Sequence, residues 1–106
     1  MTDETKPVVR AAEMERGVSA ATALLKALAN PQRLRILCQL ANGEKTVSQL
    51  MEGVRMRQAA VSQQLQRLRA EHLVTARRDG RNVYYRLCDP AALEVIRTLH
   101  RLYCAT

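Results

Sequence analysis

The chain has 106 residues, a net charge of +7 and 47% apolar residues with neither Phe nor Trp, so it should make one domain with a modest, aliphatic core. No apolar run approaches the ~18 residues of a membrane span, and the polar first ten residues lack the apolar stretch of a signal peptide, which points to a cytoplasmic protein. The three cysteines are odd in number and lack the spacing of a disulfide scaffold. In a reducing compartment such thiols serve as core filler, metal ligands or redox sensors.

Residues 1–10 read as a flexible N-terminus, and residues 11–106 as a single domain. Over residues 11–29, Met14, Val18, Ala21, Leu25 and Leu28 recur at helical steps of three and four. Asn30-Pro31 marks a boundary: Asn30 can cap the next helix, Pro31 suits its first turn, and Pro31 disfavours helical geometry at Asn30. The second helix should reach residue 40 with Leu34, Leu37, Cys38 and Ala41 on one face, and Asn42-Gly43 should end it. Thr46 opens a short helix with Val47, Leu50 and Met51 apolar. Glu52-Gly53 should close it, with residues 54–57 as a turn.

The following helix, residues 58–70, keeps Val61, Leu65 and Leu68 on an inner stripe. Its outer face carries Gln58, Ala59, Ser62, Gln63, Gln66 and Arg69. A short helix, a tight turn and a second helix with an amide-rich face make a helix-turn-helix. Residues 73–78 then read as a strand, Asp79-Gly80 as a hairpin turn and residues 81–87 as the return strand, with Val83, Tyr85 and Leu87 on one face. Asp89-Pro90 repeats the cap-and-proline signature at the start of a last helix that should run to Cys104. Leu93, Ile96, His100 and Cys104 form one stripe there, and Ala92, Val95, Leu99 and Leu102 form its neighbour. So wide an apolar surface predicts a second subunit. The fold expected is mainly α with a small β-hairpin, dimeric.

Residues 55–86 hold eight arginines against Glu71 and Asp79, +6 of the chain's +7. Most charge runs are solvated faces, but this one coincides with the helix-turn-helix and hairpin, the electrostatic footprint of a nucleic-acid partner. The DNA major groove admits an α-helix; Gln pairs with adenine and Arg with guanine. Gln58, Ser62 and Gln63 project from the first turns of the second helix of the motif, where such proteins touch bases, and Ala59 suits a thymine methyl. Arg77, Arg78 and Arg81 on the hairpin are assigned to phosphate or the minor groove, positioning rather than specifying. Gln63 or Gln66 alone reads equally as an ordinary exposed glutamine; the constellation makes the case.

Three segments in order carry a family resemblance: Leu25-Lys26-Ala27-Leu28-Ala29-Asn30-Pro31-Gln32-Arg33-Leu34-Arg35-Ile36-Leu37, Ala60-Val61-Ser62-Gln63-Gln64-Leu65, and Gly80-Arg81-Asn82-Val83-Tyr84-Tyr85-Arg86-Leu87. Together they make residues 18–104 resemble the ArsR/SmtB family. The resemblance implies a dimeric winged helix-turn-helix repressor that leaves operator DNA on binding its inducer. Arg57 departs from the pattern: the family usually has a capping Ser there. Arg cannot cap, so either the helix starts one residue off or Arg57 itself meets phosphate.

Many family members bind metal, through paired cysteines in Glu-Leu-Cys-Val-Cys-Asp-Leu or through Asp and His pairs on the last helix. The first stretch is Glu44-Lys45-Thr46-Val47-Ser48-Gln49-Leu50 here, without a thiolate, and the last helix retains only His100 after Asp89. Thiophilic metals need several thiolate or imidazole ligands at one locus. No cofactor is expected.

Cys38 and Cys104 remain. Either alone reads as a small hydrophobe, but Arg35-Ile36-Leu37-Cys38 and His100-Arg101-Leu102-Tyr103-Cys104 resemble the sulfide-responsive subgroup of the family, the SqrR and BigR type, with the haemolysin regulator HlyU close by. That resemblance implies that reactive sulfur species, persulfides, crosslink Cys38 to Cys104 through a polysulfide bridge, release the operator and control genes of sulfide detoxification. A thiolate is the nucleophile toward such species. Packing of the first and last helices would bring the two cysteines together, and His100 lies one turn before Cys104.

Four other readings stand beside it. The same fold could sense zinc or another thiophilic metal through Cys38, Cys104 and His100, or act as a general thiol or peroxide sensor. A thiol oxidoreductase lacks Cys-x-x-Cys and any cofactor loop, so no enzyme is expected. A winged helix used only for protein contacts leaves the charge unexplained. Cys88 fits no spacing pattern and reads as filler, and His72 as a polar residue near a helix C-terminal dipole.

Overall fold

The computed structural model describes residues 8–104. The flexible N-terminus expected over residues 1–10 lies mostly outside this range; residues 8–10 are exposed and carry no regular structure. Six α-helices and one hairpin follow in order: α1 (Ala11–Met14), α2 (Val18–Leu28), α3 (Pro31–Leu40), α4 (Val47–Val54), α5 (Gln58–Ala70), β1 (Val74–Asp79), β2 (Asn82–Leu87) and α6 (Pro90–Tyr103). The mainly helical architecture with a small hairpin matches the sequence expectation.

Local chemistry explains most boundaries. The Asn30 carboxamide oxygen accepts from the backbone N–H groups of Gln32 and Arg33 at 3.0 and 3.1 Å, ahead of Pro31 in the first turn of α3. Thr46 and Gln49 form a reciprocal capping box on α4, at 3.2 and 2.9 Å. Asp89 caps α6 through the amides of Ala91 and Ala92. Arg33 joins two helices: its Nε donates to the Ala27 carbonyl at 2.8 Å and its Nη2 to that of Lys26 at 3.0 Å, covering the C-terminal carbonyls of α2. α5 ends with His72 in the left-handed region (φ 61°), with the Leu73 N–H reaching back to the Leu68 carbonyl at 3.0 Å.

Four boundaries or faces differ from expectation. The first helix is not continuous: a 3-10 turn, Glu15–Gly17, separates α1 from α2. Gly17 weakens helix there, and no residue of α1 is buried, so nothing holds the two pieces in one rod. Gly53 does not close α4, which continues to Val54 and ends with Arg55 in the left-handed region (φ 54°). Gly53 instead admits the Gln39 side chain, whose amide would lie 2.6–2.7 Å from a Cβ at that position. The hairpin loop is Gly80-Arg81, one residue later than expected, because Asp79 still pairs with Asn82. Gly80 (φ 63°) takes the first loop position, which favours glycine. On α3 the core-facing residues are Ile36, Leu37 and Leu40, while Cys38 is exposed and Leu34 half-buried.

The core is aliphatic, as the missing Phe and Trp required. Ile36, Leu37, Leu50, Val61, Leu65 and Leu68 are fully enclosed, with Leu73, Val74, Ala92 and Ile96 closing it. Besides Val74 in the core, an isolated backbone pair ties the hairpin to this body: Lys45 N–H donates to Tyr85 O at 3.0 Å and Tyr85 N–H to Lys45 O at 2.8 Å. The radius of gyration, 16.2 Å, exceeds the ~13 Å of a compact chain of about 100 residues. The chain is elongated, and apolar side chains on α2 and α6 stand in solvent.

Candidate nucleic-acid interface and thiol site

α5 is held by its inner stripe: Val61, Leu65 and Leu68 sit in the core, leaving Arg57, Gln58, Ala59, Gln63, Gln66 and Arg69 exposed on the far side. Ser62 is half-buried. Arg57 makes no side-chain cap, and α5 starts directly after it at Gln58, so the helix has not shifted. The first turn of α5 thus has no side-chain cap, which leaves its amides free for an anionic ligand.

Gln64, which the sequence did not single out, turns inward: its Nε2 donates to Gln32 Oε1 at 3.3 Å, while its own Oε1 is buried with no partner. This contact links the start of α3 to the middle of α5.

The hairpin stands beside α5. Register pairs Arg77 with Tyr84 on one face and Arg78 with Val83 on the other. Arg69 from α5 and Arg77 and Arg78 from β1 line one recess of about 270 Å³ between helix and hairpin. Arg78 and Arg81 are exposed. Arg77 is already engaged: its Nε donates to Glu44 Oε2 at 2.7 Å and its Nη2 to Glu44 Oε1 at 2.8 Å. That hydrogen-bonded guanidinium holds the Glu44 carboxyl below the usual carboxylate range. Sequence reasoning missed Glu44 because its partner lies 33 residues away and no local pattern links them.

The second locus lies between α3 and α6. Cys38, Cys104 and His100 line one recess of about 330 Å³, whose other walls are Leu34, Ile96, Leu99 and Tyr103. A neighbouring recess of about 290 Å³ shares Cys38, Ile96 and His100 and adds Ala41, Asn42 and Arg97. Cys38 therefore lines both hollows, and the recess it shares with Cys104 is walled by residues of α3 and α6 rather than of the first helix. Cys38 is exposed in the lone protomer, yet the apolar walls still withdraw enough water to push its thiol up, and the charge of a Cys104 thiolate pushes it further. Among the described residues no group of three or more His, Cys, Asp or Glu side chains is placed to hold a metal ion. Cys88 is half-buried, with its Sγ 3.6 Å from the His72 carbonyl oxygen, apart from both recesses. Among the described residues no helix is long and apolar enough to cross a membrane.

Comparison with known proteins agrees with this geometry. A family model described as bacterial regulatory protein, arsR family, matches residues 30–76, from the α3 cap to the first hairpin strand. The chain is 42% identical over 92 residues to the transcriptional activator HlyU of Vibrio cholerae, covering 87% of this chain and 85% of that protein. It is 34% identical over 105 residues to the biofilm growth-associated repressor of Xylella fastidiosa, covering 99% and 92%. The crystal structure of the transcriptional repressor BigR from Xylella fastidiosa superposes with a TM-score of 0.87 at 33% identity, covering 92% of this chain and all of that one.

Proposed function

This chain belongs to the ArsR family of bacterial regulatory proteins, and from that premise we propose that it is a homodimeric repressor released from operator DNA when persulfides bridge Cys38 and Cys104. The winged helix-turn-helix fold and the regulatory, non-enzymatic role are the family's. Repression, the dimer and the inducer are the reading offered here.

The observation that carries it is the pair of thiols lining one apolar recess between α3 and α6. One thiolate attacks the terminal sulfur of R–S–SH and expels RS⁻, leaving Cys–S–SH. The second cysteine reacts likewise. One persulfide anion then attacks the Cβ-bound sulfur of the other and expels HS⁻, closing a trisulfide. Two persulfides and two thiols become two thiols R–SH, one hydrogen sulfide and one –S–S–S– bridge. Intervening sulfur spans thiols set too far apart for a direct bond, and an apolar hollow suits uncharged sulfane sulfur.

Support for signal transfer comes from α3, which carries Cys38 and touches α5 through Gln32 and Gln64. Release requires the bridge to be more stable in the DNA-free shape than in the bound one. Support for a dimer comes from Val18 and Leu25 on α2 and Leu102 and Tyr103 on α6, which are 40%, 59%, 64% and 81% exposed.

The test is mass spectrometry of reduced protein after a persulfide donor, with free thiols capped. Loss of two thiols with retained sulfur, mapped to a Cys38–Cys104 crosslink, is expected. Release of DNA by C38S after the same treatment would refute the dithiol mechanism. A bridge formed equally well with peroxide and without added sulfur would make the protein a general thiol sensor.

A further inference from the structure

The wing holds three arginines near its tip, and they are not equivalent. Arg78 and Arg81 are exposed. Arg77 is exposed too, with 53% of its side chain open to solvent, and it lines the same cationic recess as Arg69 and Arg78, but part of its guanidinium is already engaged. Glu44 grips it with two hydrogen bonds, at 2.7 and 2.8 Å. The Tyr84 ring lies 4.6 Å from Cζ, and Asp79 Oδ2 is 3.9 Å from Nη1. A bidentate carboxylate uses the same donor fork that a phosphate would use. Glu44 is itself fixed in place: it precedes Lys45, whose backbone pairs with Tyr85 in β2.

We propose that Glu44 is a specificity-determining residue for DNA binding, which withholds Arg77 from the phosphate backbone and leaves the wing's phosphate contacts to Arg78 and Arg81. Sequence-independent affinity is set by the number of phosphates neutralised, and a regulator must find its site among a large excess of competing ones. Occupying one wing cation internally lowers binding to every sequence while leaving the amide-bearing face of α5 unchanged. The inference uses only the DNA binding of the family and is independent of the inducer.

The salt dependence of binding to a labelled random-sequence duplex tests it, because the slope of log affinity against log salt counts phosphate contacts. Glu44→Gln is expected to tighten binding at low salt and to steepen the slope by about 0.9 per protomer, as the freed Arg77 reaches a phosphate. Arg77→Gln is expected to leave the slope where it was, and Glu44→Gln/Arg77→Gln to restore the original slope. Glu71→Gln is the control: it removes an exposed carboxylate just after α5 without freeing an arginine, and should leave the slope unchanged. The proposal is overturned if Arg77→Gln flattens the slope by about 0.9 per protomer, if Glu44→Gln leaves it unaltered, or if Glu71→Gln steepens it as much as Glu44→Gln does.

Discussion

Cys38 on α3 and Cys104 at the end of α6 line one apolar recess, and a negative charge on Cys104 opposes ionisation of Cys38. The two thiols are thus electrostatically coupled before any sulfur joins them. Partial desolvation by the recess walls and that coupling both raise the pH at which the exposed Cys38 thiol ionises. The sign follows: the folded thiol keeps its proton longer than the unfolded one, so this site's contribution to stability is present at neutral pH and lost as pH rises through the thiol range. Alkylation of Cys38 should therefore be slow at pH 7–8 and accelerate above pH 9. Cys104→Ser should shift the acceleration to lower pH, though not to that of a free thiol, because burial persists. An alkylation profile of Cys38 unchanged by Cys104→Ser would show the coupling to be absent.

The proposed dimer rests on the exposed apolar side chains of α2 and α6. Leu25→Glu places a charge at a position more than half exposed in the lone protomer, so folding of the protomer should be spared while association is not. Sedimentation equilibrium should show a shift from dimer toward monomer, with at least tenfold weaker DNA binding because half-sites are no longer read together. A Leu25→Glu variant that sediments as a dimer would remove α2 from the interface.

Contacts on α5 and on the wing should separate in their effects. Gln63→Ala should reduce discrimination between the operator and a random duplex by about 1–3 kcal/mol, with the salt slope unchanged. Arg81→Gln should weaken both DNAs equally and flatten the slope by about 0.9 per protomer. The opposite pattern, base discrimination lost through Arg81 and salt dependence lost through Gln63, would reverse the assignment of reading helix and wing.

Gly53 offers a test of packing apart from function. An added methyl would meet the far end of the Gln39 side chain at 2.6–2.7 Å, and that amide can swing aside. Gly53→Ala should therefore be close to neutral, the gain in helix propensity offsetting the displaced amide. Gly53→Ala with Gln39→Ala should be more stable than Gln39→Ala alone by up to ~1 kcal/mol, measured by urea unfolding. A loss of more than about 2 kcal/mol in Gly53→Ala would show that Gln39 cannot move.

What could be read along the chain was whatever local physics decides. Asn30, Thr46 and Asp89 cap their helices through amides two or three residues away, so their sequence signatures are complete in themselves. The stripe of Val61, Leu65 and Leu68 gave the buried face of α5, and with it the exposed glutamines on its far side, because helical periodicity leaves one choice of inside. The expectation that Cys38 and Cys104 act together came from resemblance to a family rather than from these rules. The docking of α3 on its neighbours decided that Cys38 faces a recess instead of the core, since Ile36, Leu37 and Leu40 take the inner face. The role of Gly53 was set by Gln39 on another helix, not by a need for a turn. Glu44 and Arg77 meet across 33 residues only because β2 pairs with Lys45. Side chains that distant in sequence become partners through the docking of elements, and no spacing rule along the chain encodes that docking.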